Sequence, residues 1–197
     1  MRKTLEFFFD LLSPYSYLAS TQVEAVCARA GAALAWRPFL LGAVFKATEN
    51  ASPLNNPHKA AYLLTDLARW AGHYGLPPFT VPAEFPFRVV DADRLVLVAG
   101  EQGKAGAFAR AAFRAIWTEG KDLGMPEALV EVLRSVEIDP GTAMDRAGSI
   151  DIKEALKKNG EEAVARGAFG APTFFVGEEM FVGNDRLPFV ERELARN

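Results

Sequence analysis

The chain has 197 residues, of which 50% are hydrophobic and 24% charged, and its formal net charge is −3. This length suits one well-buried domain, or a compact domain with a sizeable insertion, and not two independent full domains. The absence of a basic excess excludes nucleic acid and anionic membrane surfaces as expected partners. No apolar run approaches the roughly 20 residues that cross a bilayer, so we predict no membrane span.

The N-terminal sequence and the cysteine content indicate the cellular compartment of the protein. Arg2 and Lys3 precede an apolar stretch that Glu6 and Asp10 interrupt, which does not match the pattern of a signal peptide. Cys27 is the single cysteine, so it cannot form a disulfide within the chain, and redox chemistry by a cysteine pair is excluded. We therefore expect a cytoplasmic protein.

The first forty residues have a β-α-β pattern. Residues 4–10 (TLEFFFD) form a short aromatic run, which predicts a buried strand. Pro14 suits the first turn of a helix whose apolar positions recur until Gly31, a residue suited to a helix end. Residues 33–39 return to strand character, and a parallel pair joined by a helix requires a right-handed crossover.

The middle of the chain, from about residue 45 to residue 159, shows helical periods interrupted by proline and glycine, and no alternating strand pattern. Asn56 is suited to cap a helix that Pro57 opens and Gly75 ends. Further helices are predicted over residues 92–101, 106–119, 126–135 and 150–166. The loop of residues 76–87 (LPPFTVPAEFPF) is rich in proline and phenylalanine and could wall a pocket. We interpret the region as a helical insertion.

The last thirty residues return to α/β character. Residues 173–176 and 180–182 are predicted to be two short strands joined near Gly177, and a final helix starts at about Asp185. A β-α-β start and a terminal hairpin with its helix are the two parts of a thioredoxin-like domain.

The predicted fold class is therefore α/β, a thioredoxin-like domain interrupted by an all-helical insertion. Residues 1–45 and 160–197 would form the thioredoxin-like domain, and residues 46–159 would form the inserted domain.

Three short motifs lie at the ends of these elements. They are Ser13-Pro14-Tyr15-Ser16 after the first strand, Ala171-Pro172-Thr173 before the hairpin, and Gly183-Asn184-Asp185-Arg186 before the last helix. Taken singly, each motif is most often a helix cap or a turn. Their order and spacing along the chain indicate that they belong together.

Together, FDLLSPYSYLA, the segment Pro57-His58-Lys59, GAFGAPTFFVGEEMF and GNDRL resemble the 2-hydroxychromene-2-carboxylate isomerase family and the related kappa-class glutathione transferases. Ser13-Pro14-Tyr15-Ser16 stands where the DsbA-like branch of thioredoxin folds carries Cys-Pro-x-Cys, with both cysteines replaced by serine. The resemblance covers essentially the whole chain, and its two ends are the most specific parts. It implies a thioredoxin-like fold of the DsbA and kappa-class type, glutathione as the cofactor, and a homodimer.

The resemblance implies a catalytic role for Ser13. A hydroxyl at a helix N-terminus lies among free backbone N–H groups and the positive end of the helix dipole, which stabilise an anion such as a thiolate. A free thiol has a pKa of about 8.5, and lowering it by about two units stabilises the thiolate by roughly 2.7 kcal/mol. A serine-hydrolase function is disfavoured because neither His58 nor His73 lies near Ser13 in sequence.

The same resemblance implies a glutathione site, which would consist of Ser13, Pro14, Tyr15, Asn50, Ala171, Pro172, Gly183, Asn184, Asp185 and Arg186. Pro172 is expected to be a cis proline that presents the backbone of Ala171, to which the cysteinyl part of glutathione would add as a strand. Asp185 suits the γ-glutamyl ammonium, although a plain helix cap is the alternative for this residue.

The second substrate, a small aromatic carboxylate, has a weaker signal. Its candidate residues are Lys46, Asn55, Asn56 and Arg88. Lys46 is the preferred partner of the carboxylate, and the alternative is a solvated surface lysine. His58 and His73 are expected to be structural or solvent-facing residues. No metal or nucleotide is implied.

The implied reaction is the glutathione-dependent interconversion of 2-hydroxychromene-2-carboxylate and trans-o-hydroxybenzylidenepyruvate, a step in the degradation of aromatic hydrocarbons. The alternatives are a kappa-like glutathione transferase or peroxidase that acts on other electrophiles, and a non-catalytic glutathione- or peptide-binding module. An isomerase needs a cationic and polar pocket for the substrate carboxylate, whereas a transferase needs mainly an apolar one.

Overall fold

A four-stranded mixed sheet forms the centre of the protein in a computed structural model, which describes residues 2–196. Met1 and Asn197, the ends of the predicted thioredoxin-like domain, lie outside the described residues. The strands are β1 (Thr4–Phe9), β2 (Ala33–Pro38), β3 (Thr173–Val176) and β4 (Glu179–Val182), in the order β2-β1-β3-β4. β1 pairs with β2 in parallel and with β3 antiparallel, and β3 and β4 form an antiparallel hairpin.

Strand β1 is covered on both faces. Phe7 and Phe9 pack into the larger core on one face of the sheet, whereas Phe8 packs with Phe39 and Phe175 on the other face. Because successive side chains of a strand point to opposite faces, a strand buried on both sides becomes a continuous apolar run. This double burial explains the aromatic run in the sequence.

Within residues 2–196 the helices are α1 (Pro14–Ser20), α2 (Val23–Ala30), α3 (Leu41–Ala47), α4 (Pro57–His73), α5 (Val90–Glu101), α6 (Ala105–Trp117), α7 (Pro126–Ser135), α8 (Pro140–Ala147), α9 (Ile150–Ala165) and α10 (Leu187–Ala195). Short 3₁₀ helices cover Pro53–Asn55 and Asn184–Arg186. Helices α3 to α9 all lie between β2 and β3 along the chain, which confirms the helical insertion. The predicted boundaries at residues 45/46 and 159/160 fall inside α3 and α9, and the division into two domains stays a prediction.

The helix predicted from Pro14 to Gly31 is two helices, so that prediction is wrong in its continuity. The chain breaks between α1 and α2, where the hydroxyls of Ser20 and Thr21 donate hydrogen bonds to the carbonyls of Tyr17 and Leu18. Serine and threonine hydroxyls compete with the backbone for helix carbonyls, which allows a bend at this point. Gly31 ends α2 with a φ of 62°, as expected of a glycine at a helix end.

Two helices, α3 and α8, were not predicted. Helix α8 has a local signal, because the Asp139 carboxylate caps it by accepting a hydrogen bond from the backbone N–H of Thr142. Helix α3 has no cap of its own. Instead, the first N–H of the helix, that of Leu41, donates to the carboxylate of Asp10 at 2.7 Å. Asp10 lies thirty-one positions earlier in the chain.

The larger core joins the sheet to the inserted helices. Phe9 of β1 and Phe113 of α6 have ring centroids 5.5 Å apart. Trp117, also in α6, donates a hydrogen bond from its buried indole Nε1 to the carbonyl of Leu11 at 2.9 Å. The insertion is therefore packed directly against the turn that follows β1. In the part of the chain that is described, no helix has both the length and the apolarity needed to cross a membrane.

Candidate active site

Ser13 lies at the N-terminus of α1, at the end of the turn that leaves β1. It is the N-cap residue, with extended backbone, and its Oγ accepts a hydrogen bond from the backbone N–H of Ser16 at 3.2 Å. The same hydroxyl donates to the carbonyl of Ala171 at 3.2 Å, across a sequence separation of 158 residues. Ser13 is only 3% exposed. The serine therefore joins the first turn of α1 to the segment that precedes β3.

Two buried carboxyl groups hold this turn. Asp10 accepts hydrogen bonds from the backbone N–H groups of Leu12 at 2.8 Å and Leu41 at 2.7 Å. Asp93, in α5, accepts a longer hydrogen bond from the N–H of Leu11 at 3.4 Å. Burial raises the pKa of Asp10 to about 6. Burial, and then the charge of Asp10, raise the pKa of Asp93 well above its ordinary value.

The segment opposite Ser13 is fixed by the β3–β4 hairpin. The peptide bond between Ala171 and Pro172 is cis. The Pro172 carbonyl accepts a hydrogen bond from the N–H of Gly183 at 2.9 Å, which places the start of the last motif beside the proline. Gly183 has a φ of 103°, and a Cβ at this position would lie 2.6 Å from Oδ1 of Asp185. Only glycine fits this position without displacing the Asp185 carboxylate.

The short helix Asn184–Arg186 packs against α1. Asn184 is 2% exposed, and its buried side-chain amide lies beside the Tyr74 hydroxyl. Asp185 and Arg186 are exposed and form an ion pair of 3.3 Å.

A cavity of about 420 Å³ opens in front of Ser13. It is lined by Leu12, Ser13, Pro14, Tyr15, Leu41, Phe45, Asn50, Ser52, Pro53, Leu54, Ala60, Ala61, Leu63, Leu64, Leu67, Val81, Phe85, Trp117, Phe169, Gly170, Ala171 and Val182. The polar side chains in this lining are those of Ser13, Tyr15, Asn50 and Ser52. None of the lining residues, all of which belong to the described chain, carries a charge.

The apolar lining continues to the surface. Leu54, Leu64, Val81 and Phe169 all line the cavity and are each about half exposed to solvent. Exposed apolar side chains grouped at one opening are typical of a binding site for an apolar ligand. Val81 belongs to the proline-rich loop, which therefore does wall a pocket as its sequence suggested.

Tyr15 lies at the side of this cavity. Its hydroxyl donates a hydrogen bond to the Asp66 carboxylate in α4 at 2.8 Å. Burial first, and then the hydrogen bond to Asp66, raise the pKa of the Tyr15 hydroxyl. Tyr15 therefore remains a neutral phenol that is already committed as a donor, and its oxygen can only accept a further hydrogen bond.

The comparison with protein families decides the class of this fold. The family model of the DSBA-like thioredoxin domain matches residues 4–195, nearly the whole chain. The chain belongs to the DSBA-like thioredoxin family. This membership confirms the predicted thioredoxin-like fold, with the helical insertion of the DsbA branch.

Two relatives and one solved structure are similar to this chain over nearly its whole length. It is 35% identical to a 2-hydroxychromene-2-carboxylate isomerase of Sphingobium xenophagum, over 98% of this chain and 99% of the relative. It is 28% identical to glutathione S-transferase kappa 2 of Caenorhabditis elegans, over 98% and 92% of the two chains. A solved structure of 2-hydroxychromene-2-carboxylate isomerase superimposes with a TM-score of 0.89 at 30% identity, covering 98% of this chain and 95% of the other.

This DSBA-like chain lacks a reactive cysteine at the turn. Ser13 and Ser16 occupy the two ends of the Ser-Pro-Tyr-Ser motif, and Ser16 Oγ is buried without a hydrogen-bond partner. The single thiol, Cys27, is buried in α2, and burial raises its pKa to about 11. Because a thiol with so high a pKa is a poor nucleophile, the chemistry of the site cannot depend on Cys27.

The structure brings most of the predicted glutathione residues together. Ser13, Pro14, Tyr15, Asn50 and Ala171 line the single cavity described above. Pro172 is buried, and Gly183, Asn184, Asp185 and Arg186 adjoin it through the hydrogen bond between the Pro172 carbonyl and Gly183. Their assignment to glutathione stays a prediction.

The four predicted substrate residues do not line this cavity. Lys46 is an exposed residue in the last turn of α3, and Arg88 is exposed just before α5. Asn55 is exposed, and Asn56 caps α4 by accepting hydrogen bonds from the N–H groups of His58 and Lys59. Their contact with a substrate stays a prediction.

The sequence reasoning did not single out a shallow pocket beside the cavity. It shares Tyr15, Pro53 and Leu63 with the cavity and adds His58, Lys59 and Tyr62. His58 and Lys59 can carry positive charge, and this pocket brings both side chains close to Tyr15. No such side chain lines the cavity itself. The signal lay in the helical spacing, because His58, Lys59 and Tyr62 follow one another within the first two turns of α4.

Proposed function

We propose that this protein is a glutathione-dependent isomerase that interconverts 2-hydroxychromene-2-carboxylate and trans-o-hydroxybenzylidenepyruvate. The observation that carries the proposal is the position of the Ser13 hydroxyl, which lies at the N-terminus of α1, lines an apolar cavity and contacts Ala171. The full-length similarity to enzymes named for this reaction supports the choice of substrate.

The residues around Ser13 fit glutathione. The Ala171 backbone offers an edge for the cysteinyl part, and the exposed Asp185 carboxylate offers a partner for the γ-glutamyl ammonium. When bound, glutathione would supply a thiolate that adds reversibly to the substrate double bond and converts it to a single bond. After rotation about that single bond, elimination would release glutathione and the isomerised product.

Ser13 is the residue proposed to hold that negative charge. Its hydroxyl now donates to the Ala171 carbonyl, and rotation about one side-chain bond would redirect the donor to an anion in the cavity. In the first turn of α1, Pro14 has no N–H, and the N–H groups of Ser16 and Tyr17 donate to Ser13. The N–H of Tyr15 and the helix dipole would add to the stabilisation. Lowering a thiol pKa by about two units requires roughly 2.7 kcal/mol, which a charge-assisted hydrogen bond and a helix N-terminus can supply together.

The apolar lining is suited to the aromatic part of the substrate, and it excludes water from the reacting double bond. The substrate carboxylate needs polar partners, and the hydroxyl of Ser52 and the second N–H of the Asn50 amide would be the donors within the cavity. The first N–H of that amide donates to the Phe169 carbonyl at 3.0 Å. Lys59 and His58 in the adjoining shallow pocket could provide a cationic group. Lys46, Asn55, Asn56 and Arg88 stay candidates for the same role.

A kappa-like transferase or peroxidase is the second candidate function. It is favoured by one observation, namely that no charged side chain lines the described cavity. A transferase acting on apolar electrophiles needs only such a lining and the thiolate site.

The proposed enzyme is cytoplasmic and homodimeric. The buried single thiol and the lack of a cysteine pair suit a reducing compartment. Dimerisation is proposed from the family resemblance, and the molar mass in solution measured by light scattering tests it.

The function is tested by titrating reduced glutathione into the protein in a calorimeter and then adding 2-hydroxychromene-2-carboxylate to the same sample under optical monitoring. Binding followed by turnover is the expected result. Binding with turnover only of an electrophile such as 1-chloro-2,4-dinitrobenzene would favour the transferase, and binding with neither reaction would favour a non-catalytic module. The absence of glutathione binding would contradict all three.

A further inference from the structure

Helix α3 forms part of the wall of the active-site cavity, through Leu41 and Phe45, which lie one turn apart. The helix has only seven residues, and a helix of this length is not stable on its own in water. Val44 is its single buried residue and packs in the smaller core with Phe8 and Phe39. The position of this wall therefore depends on what holds α3 from outside the helix.

The side chain of Asp10 holds the start of α3. Its Oδ2 accepts a hydrogen bond from the N–H of Leu41 at 2.7 Å, and its Oδ1 accepts one from the N–H of Leu12 at 2.8 Å. Within residues 2–196, the bond to Leu41 is the only hydrogen bond that joins residues 41–47 to another element. Leu12 and Leu41 both line the active-site cavity. Asp10 therefore ties two walls of the cavity together, the turn after β1 and helix α3.

The two bonds at Asp10 require a carboxylate. Two N–H donors from different elements need two acceptor oxygens, and an ionised carboxylate has two acceptors and no donor. An asparagine would turn its NH2 group towards one of the two N–H groups and lose that bond. Asp10 is 5% exposed, and in the part of the chain that is described it pairs with no cationic side chain. Burying a carboxyl group without an ion pair is costly, and the two walls that it joins explain why it is kept.

We propose that Asp10 is a positioning residue for the second substrate, because its carboxylate fixes the width of the active-site cavity by holding α3 against the turn after β1. The proposal rests on the proposed function, since it concerns the aromatic substrate of the same cavity. The hydrogen bonds of the Ser13 hydroxyl to Ser16 and Ala171 do not involve the Asp10 carboxylate. Loss of the carboxylate should therefore disturb the aromatic substrate and leave glutathione bound, a split that a general structural role would not produce.

The test compares Asp10→Asn with the wild type at about pH 7.5, where the wild-type carboxyl is mostly ionised because burial raises its pKa only to about 6. The variant is a neutral molecule of the same shape and is expected to fold. We expect the α3 amides to exchange with deuterium about tenfold faster in the variant. We also expect kcat/KM for 2-hydroxychromene-2-carboxylate to fall about tenfold, and the Kd of glutathione from calorimetry to stay within about twofold.

Asp93→Asn is the matched control for the exchange measurement. It removes the other buried carboxyl group at this turn, which bonds to the N–H of Leu11 and makes no hydrogen bond to α3. The α3 amides should therefore exchange at the wild-type rate in this variant.

A second pair of variants removes the same hydrogen bond from the donor side. Leu41 is the first residue of α3, a position that tolerates proline, and Leu40 before it has the extended backbone that proline requires. Leu41→Pro lacks the N–H, whereas Leu41→Ala shortens the side chain and keeps the N–H. We expect faster exchange of α3 in Leu41→Pro than in Leu41→Ala, and no such difference when both also carry Asp10→Asn.

Two results overturn the proposal. Unchanged exchange of α3 in Asp10→Asn would show that the carboxylate does not hold the helix, and equal losses of glutathione affinity and turnover would show a general disturbance of the turn. Failure of the proposed function is a separate result, in which the wild type itself does not bind glutathione or convert the chromene. In that case the assignment of Asp10 to the aromatic substrate falls with the function, and the exchange rates still decide whether Asp10 holds α3.

Discussion

Two buried carboxyl groups beside Ser13 make the stability of the protein depend on pH. Folded Asp10 keeps its proton up to a pH of about 6, whereas the unfolded carboxyl loses it near the ordinary value of 3.8. The unfolded state therefore binds fewer protons in this window, and the free energy of unfolding falls as the pH rises through it. For Asp10 alone the fall amounts to about 3 kcal/mol.

Asp93→Asn is expected to reduce the loss of stability, because it removes the second buried carboxyl group, whose own raised pKa adds to that loss. Urea unfolding at about pH 4 and about pH 7 should show a smaller decrease in stability for the variant than for the wild type. Asp91→Asn, at an exposed position on the same helix, is the control and should leave the decrease unchanged. An equal decrease in wild type and Asp93→Asn would contradict the contribution of the Asp93 carboxyl group to the pH dependence.

The carboxylate partner can be identified by comparing two lysines. Lys59 lines the shallow pocket that adjoins the active-site cavity, whereas Lys46 lines neither. We expect Lys59→Ala to raise the KM for 2-hydroxychromene-2-carboxylate about tenfold, or about 1.4 kcal/mol, through loss of a charge-assisted contact. Lys46→Ala should leave KM unchanged. The reverse pattern would restore Lys46, the preferred candidate from sequence, to the substrate site.

At the scale of the elements, the turn before the last helix depends on one glycine. Gly183→Ala places a Cβ against the Asp185 carboxylate at a positive φ, and should cost about 1–3 kcal/mol of stability and weaken glutathione binding. Gly177→Ala is the matched control, because its φ is also positive but its Cβ position is open. Thermal unfolding and glutathione titration of both variants measure the difference. Equal effects of the two substitutions would show that crowding at Asp185 is unimportant.

The elements also show what a sequence can and cannot predict. The sequence predicted three elements from local signals. Strand β1 has an aromatic run, helix α7 has a proline at its first position, and the late hairpin has a glycine in its turn. Helix α3 was missed because its cap, Asp10, comes from a different part of the chain. The break between α1 and α2 depends on where two hydroxyl groups point, which periodicity does not encode.

The same limit applied to the candidate site. Ser13, Ala171 and Asp185 could be singled out as candidates because they lie in motifs at the ends of elements. The carboxyl pair of Asp10 and Asp93 was missed because it forms across two elements and has no local signature. The cavity lining comes from segments spread between Leu12 and Val182, so its apolar character could be known only from the folded chain.

At the scale of the whole molecule, the insertion and the sheet share one core. Phe113→Ala removes the ring that packs on Phe9 and should cost about 3–5 kcal/mol. We expect a single unfolding transition in both the wild type and the variant, with far-ultraviolet circular dichroism and tryptophan fluorescence giving the same midpoint. Two separated transitions would instead support the predicted division at residues 45/46 and 159/160 as independent folding units.

The central claim is that Ser13 stabilises a thiolate at the N-terminus of α1. The most direct measurement is the pKa of the thiol of bound glutathione, from the ultraviolet absorbance of the thiolate, in the wild type and in Ser13→Ala. We expect a pKa lowered by about two units in the wild type and a value at least one unit higher, about 1.4 kcal/mol, in the variant. Equal pKa values in the two proteins would contradict the role of Ser13 and leave the reaction without its activating residue.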